Sequence, residues 1–212
     1  MKKNDLIYRA SLLGLVLLLS WFQGEALLAQ PTVQAGLRAG VMTSNFYGDD
    51  VTDVSVRSHI NGGLFVTYRF SDYLGLQPEV LFAAKGARVG SPSMGQADDV
   101  TYHLGYLEIP LLAKVFLPAT ASLQPSIILG PALDIKLYGE ADDNNLEGQV
   151  KNLDYLAVGG INLSYGVGNV HLRQRQITFD ARYILGFNKV FDMEGNPDFR
   201  NQSFSFTLGF SL

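Results

Sequence analysis

What most constrains this chain is a phase. From Val33 onward the sequence repeats, about eight times, a stretch in which every second side chain is apolar and the intervening ones are small or polar. Each stretch is followed by a turn or a longer polar segment. The first reads Val33, Ala35, Leu37, Ala39, Val41; the fifth Ile127, Leu129, Pro131, Leu133, Ile135, Leu137; the last Phe204, Phe206, Leu208, Phe210, Leu212. Successive side chains of a strand point to opposite sides, so a period of two means strands with one apolar face, and no comparable 3.6-residue period competes with it. The sixth stretch is the least regular, because Leu156 and Val158 oppose the phase of Tyr155, Ala157 and Ile161.

The connections alternate in length. They are short after the second, fourth and sixth stretches, and long and polar after the first, third, fifth and seventh, as in "TSNFYGDDVTDVSVRS" and "YGEADDNNLEGQVKN". Short turns at one end and long loops at the other are the pattern of an even-stranded outer-membrane barrel with both termini in the periplasm. The first thirty residues agree with export. Lys2, Lys3 and Arg9 precede "ASLLGLVLLLSWF" and the small residues of "QGEALLAQ", which predicts a cleaved secretory signal over residues 1–29 and a single barrel domain over 30–212. The apolar run is shorter than the roughly 20 residues a spanning helix needs, although a signal-anchor is the alternative. There is no cysteine, hence no disulfide, thiolate metal site or lipidated cysteine.

Alternation alone does not say which face points inward, since a secreted lipocalin-type barrel would bury the apolar phase. The charges and glycines decide. Arg38, Arg69, Lys85, Lys114, Lys136, Arg182, Glu79, Glu108, Asp134, Asp154 and Asp180 all fall on the polar phase, and no strand carries a charge on the apolar one. A lipid-facing surface requires that exclusion, because a midplane Arg or Lys costs about 2–4 kcal/mol. The polar phase is also crowded with glycines such as Gly36, Gly40, Gly63, Gly130 and Gly160, which weaken an exposed strand but suit a narrow interior. The expected fold is therefore all-β: an eight-stranded antiparallel transmembrane up-and-down β-barrel, integral to the bacterial outer membrane. Its lumen is filled by a structural network of those eleven charged side chains.

Six stretches, "AGLRAGVMTSNF", "GGLFVTYRFSDYLGLQPEVLFAAKGA", "YLEIPLLAKV", "ILGPALDIKL", "DARYILGFNKVF" and "FTLGFSL", span nearly all of the exported chain. Together they resemble the PorT-like outer-membrane β-barrel proteins of Gram-negative bacteria. The resemblance implies an eight-stranded outer-membrane barrel, usually without an assigned activity, and it adds a second functional reading, an accessory component of a protein-secretion apparatus. It maps no functional residue onto this sequence.

Other constellations are weak. Ser58, His59 and Asp53 are close in sequence, but neighbours along a strand face opposite ways, so they do not form a nucleophile and base. "DMEGNPD" begins like a calcium loop and then fails, with Pro197 where glycine is needed and Ser203 in place of the bidentate Glu. No enzyme activity, cofactor or metal is expected. The long connections hold twelve acidic against five basic residues, which argues against nucleic acid. The expected partners are outer-membrane lipid and lipopolysaccharide, the barrel assembly machinery during biogenesis, and secretion components under the second reading. Aromatics near strand ends, among them Tyr47, Tyr68, Phe70, Tyr106, Tyr165 and Tyr183, suit interfacial girdles.

Outer-membrane proteins as a class end in a strand read by the assembly machinery, usually with a terminal aromatic. Phe206, Leu208, Phe210 and Leu212 match that pattern with leucine in the final place. Deleting residues 210–212 is expected to block membrane assembly; heat-modifiable gel mobility of the truncated chain in outer-membrane fractions checks it, and normal insertion would reduce the ending to lipid-facing filler.

Overall fold

A computed structural model describes residues 31–48, 54–55, 57–86, 88–89, 100–119, 122–141, 144–145, 151–167, 175–190 and 199–212. The proposed signal, the turn holding His171, and the "DMEGNPD" and Asp53 segments lie outside the described residues. Eight long strands account for most of the rest: β1 Thr32–Tyr47, β2 Arg57–Arg69, β3 Leu74–Lys85, β4 Val100–Phe116, β5 Leu123–Ala141, β6 Leu153–Val167, β7 Arg175–Gly186 and β8 Arg200–Ser211. The shortest has 12 residues, enough to cross a bilayer core that needs about 9–11 in a tilted strand. Two-residue strands at Val54–Ser55, Arg88–Val89 and Asn144–Asn145 extend the wall at the long-loop end. Among the described residues there is no helix.

Every pairing is antiparallel and each long strand pairs with its sequence neighbour. The ring closes where β1 meets β8, from Gly36 opposite Ser211 to Tyr47 opposite Arg200, and the Leu212 amide adds a bond to the Ala35 carbonyl at 2.9 Å. The expected eight-stranded barrel is thus the observed one. Its apolar phase faces outward: Leu37, Leu64, Leu129, Ile161, Phe206 and Leu208 are all exposed, while the alternate residues are buried in the lumen. No soluble barrel would spend its large apolar side chains this way.

Two features go beyond the sequence reading. The lumen holds an apolar collar as well as polar groups: Met42, Leu112, Ile128, Leu156, Val158 and Ile184 are buried together. Leu156 and Val158, which broke the phase of the sixth stretch, are inward-facing members of that collar. Tyr106 also lies on the inward phase and is buried, so it belongs to the lumen and not to an interfacial girdle. The second feature is a bulge where the β4–β5 register shifts between Gly105 and Tyr106, leaving Leu137 as the extra residue. The shift swings Tyr138 outward beside Leu137, and its ring covers Gly105 so closely that a Cβ there would stand 2.1 Å from Cε1.

Close strand approach explains the inward glycine at position 130: a Cβ on Gly130 would lie 2.1 Å from the Leu111 carbonyl oxygen, whereas one on outward Gly159 would meet only Leu129 Cδ1 at 3.6 Å. Gly130→Val should therefore cost about 1–3 kcal/mol by overpacking, and Gly159→Ala close to nothing. Urea unfolding of each variant in lipid vesicles, read by gel mobility, separates the two.

Candidate functional site

The lumen charges fall into two clusters at different heights, because strand register and barrel stagger set which inward positions meet. The first lies toward the short-turn end. Glu79 on β3 and Arg182 on β7 stand four strands apart, on opposite sides of the ring, and meet across the lumen in a bidentate pair with Nη1 to Oε2 at 2.8 Å and Nη2 to Oε1 at 2.9 Å. Arg182 Nη2 also donates to Asp180 Oδ1 at 3.1 Å. Arg38, projecting from β1 between them, shares the same two carboxylates at 3.4 and 3.3 Å and lies over the Phe65 ring at 4.3 Å. A fixed guanidinium fork matched to a carboxylate gives this contact its directional strength.

Neutral groups extend the cluster to the walls. Gln77 Nε2 donates to Glu79 Oε1 at 2.6 Å, and Gln77 Oε1 accepts from Thr67 Oγ1 at 2.8 Å and from Lys114 Nζ at 3.2 Å. Asn162 Nδ2 donates to Asp180 Oδ2 at 3.2 Å, while its own oxygen accepts from Ser126 and Ser164. Lys114 and Arg69 approach the Phe116 ring, at 5.6 and 4.2 Å.

The second cluster lies toward the long-loop end. Glu108, Asp134 and Asp154 occupy directly opposed positions on β4, β5 and β6, a row of three inward carboxylates on adjacent strands. Like charges placed this way repel. Lys85 from β3 enters between the first two, its Nζ 2.8 Å from Glu108 Oε2 and 2.5 Å from Asp134 Oδ2. Asp154 turns to neutral donors instead, accepting from Asn201 Nδ2 at 3.2 Å and from the Asn188 backbone amide at 3.1 Å. That second bond ties the segment after β7 onto the lumen mouth, where Val190 is buried and bonds Lys151 and Phe199 through its backbone.

Of the eleven charged positions singled out from the sequence, the structure gathers Arg38, Glu79, Asp180 and Arg182 into one cluster, with Lys114 joined to it through Gln77. It gathers Lys85, Glu108 and Asp134 into the other, with Asp154 next in the row. Arg69 is half-buried at the end of β2 and donates to the Ser71 and Asp72 carbonyls of the following turn, and Lys136 is half-buried beside the bulge. Neither joins a cluster through a pairing described above. Gln77, Asn162 and Asn201 were missed by a search for charges; their inward phase beside charged neighbours is the signal that would have found them. Phe206, Leu208, Phe210 and Leu212 face outward along the closing strand. Among the described residues no three His, Asp or Glu side chains converge as metal ligands, and His59 and His103 approach edge to face at 6.5 Å.

The family described as "Outer membrane protein beta-barrel domain" matches residues 28–192 of the chain. No curated protein sequence matches it. Among solved structures, the chain is similar to Neisserial surface protein A, with 12% identity, 85% of this chain and 97% of that one covered, and a TM-score of 0.49. It is similar to OprG of Pseudomonas aeruginosa at 14% identity, with 86% and 97% covered and a TM-score of 0.48. Outer membrane protein W of E. coli aligns at 18% identity over 84% and 97%, with a TM-score of 0.47.

Because Glu79 contacts both arginines, removing its charge leaves two buried cations to share Asp180 alone. Glu79→Gln should cost about 3–5 kcal/mol. Lys114→Met should cost less, since the amide oxygen it releases keeps Thr67 as a donor. Urea midpoints of the two variants in vesicles check the order, and equal midpoints would show that the cross-lumen pair has no special weight.

Proposed function

The chain belongs to the outer membrane protein β-barrel domain family, and from that premise we propose that it is a non-enzymatic integral barrel whose lumen is a structural plug and whose long loops carry any binding role. One observation supports this above the others: the Glu79–Arg182 pair crosses the lumen between opposite strands, with Arg38 beside the same carboxylates and Lys114 joined through Gln77. An eight-stranded barrel has an interior only wide enough to be filled by side chains, and here those side chains are committed to one another. Groups so engaged are not poised to attack a substrate. The proposed orientation puts both termini and the short turns in the periplasm and the acidic long loops outside, in keeping with the usual asymmetry of such barrels.

A second reading, an accessory of an outer-membrane secretion apparatus, rests on the likeness of "LQPEVLF" followed by "YLEIPLLAKV" to PorT-like proteins. Co-purification from native membrane separates the two, because secretion components accompany the chain only under the second.

Planar-bilayer recording of the purified barrel is expected to show no steady conductance of porin size; such a conductance would overturn the plug. Orientation is checked with Ser55→Cys, in the segment joining β1 to β2, in a chain that otherwise has no cysteine. A membrane-impermeant maleimide should label it on intact cells.

A further inference from the structure

The outward face changes character near the long-loop end of the closing seam. Along β1 the outward residues run Val33, Ala35, Leu37, Ala39, Val41, and then become Thr43 and Asn45. Along β8, read back from the end, they run Leu212, Phe210, Leu208, Phe206, Phe204, and then become Gln202. The two changes lie one outward pair apart, since Thr43 already stands opposite Phe204 and Asn45 stands opposite Gln202. On these two strands apolar side chains give way to polar ones here, near the long-loop end of the barrel, while β7 continues apolar beside them with Leu185 opposite Gln202.

At this boundary the wall holds a recess of about 300 Å³, lined by Thr43, Asn45, Gln202, Tyr183 and Phe204 together with Ser44 and Ser203. Its aromatic side is built: the Tyr183 and Phe204 rings lie 4.8 Å apart, and the Tyr183 hydroxyl donates to Gln202 Oε1 at 3.2 Å, holding the amide against the ring pair. Among the described residues, no charged side chain lines it. A phosphate headgroup would call for cationic donors, and an acyl chain alone has no use for a hydroxyl and two amides. Aromatic surface beside neutral donors and acceptors is what a sugar ring needs, apolar contact for its C–H face and hydrogen bonds for its hydroxyls. The volume is at the low end of the roughly 300–1,000 Å³ of small-molecule sites, room for one ring. Directly below, Val41 opposite Phe206 continues the lipid-facing band where acyl chains lie.

We propose that this recess seats one sugar ring of an outer-leaflet glycolipid of the lipopolysaccharide class, with the acyl chains packed on the apolar wall beneath. The assignment to the outer leaflet rests on the orientation given under Proposed function.

The test uses the full chain purified in detergent, incubated in turn with rough lipopolysaccharide, with phosphatidylethanolamine and phosphatidylglycerol vesicles, and with the deacylated core oligosaccharide, and read by native mass spectrometry. Wild type should retain one lipopolysaccharide, and Asn45→Leu combined with Gln202→Leu should weaken retention about tenfold through the loss of two hydrogen-bonding amides. Both substitutions lie on the outer wall and leave the lumen and the backbone ladder untouched, so the double variant should fold, and heat-modifiable mobility verifies that. Equal retention by the double variant overturns the seat, equal retention of phosphatidylglycerol reduces it to a general lipid contact, and oligosaccharide binding as tightly as the intact glycolipid overturns the lipid-anchored assignment. Maleimide labelling at position 55 reports orientation separately: its failure removes the outer-leaflet reading, while the binding comparison still decides the sugar seat.

Discussion

The structure depends on one demand, that no backbone N–H or C=O be left without a partner inside hydrocarbon. An unpaired group there costs several kcal/mol, and a strand cannot satisfy its own. The closing contact between β1 and β8 answers it. Twelve residue pairs join the two ends of the chain, and every long strand has a neighbour on both sides. Once the ring is closed at eight strands, its inner width is set, and the residues on the inward phase must fill it.

The filling is not uniform. Ion pairs are costly to desolvate, and they hold only where geometry is good and the leftover atoms find hydrogen bonds. Arg182 meets Glu79 as a fork, and Gln77 and Asn162 donate to the two carboxylates while Thr67 and the serines donate to those amides, although the Arg38 nitrogens and Arg182 Nε are left without hydrogen bonds. The Lys85 cluster is more strained in charge, with three carboxylates in a row around one ammonium, and the neutral donors Asn201 and Asn188 take the third. Apolar side chains, Met42, Leu112, Leu156 and Ile184 among them, are buried together in the same lumen. A lumen of charges alone would invite water; one of apolar residues alone would have no reason to choose a single register.

Much of this was legible before any coordinates. Alternation from Val33 to Leu212 marked the strands, the lack of charge on one phase marked the lipid side, and connection lengths marked the two ends. The sequence reading fell short where side chains interact across strands distant in the chain. Leu156 and Val158 read as a flaw in the sixth stretch because a two-residue period records which side a residue faces and says nothing of what it meets there. Tyr106 read as an interfacial aromatic for the same reason, its place near a strand end outweighing its inward phase. The polar recess at Thr43, Asn45 and Gln202 could not be seen, since its halves lie about 160 residues apart and become neighbours only when the ring closes.

By itself the sequence determined the class of solution: period-two patterning, an apolar phase free of charge except where Arg175 and Arg200 open β7 and β8, and glycines mostly on the other phase leave a closed membrane barrel as the structure that buries nothing polar in lipid. The tertiary structure decided the partnerships. Which acid meets which base, where the collar sits, how the bulge turns Tyr138 outward and where the outer wall opens a recess all follow from register and stagger. Those are properties of strands brought side by side, and a one-residue slip would redirect every side chain while leaving the pattern along each strand unchanged.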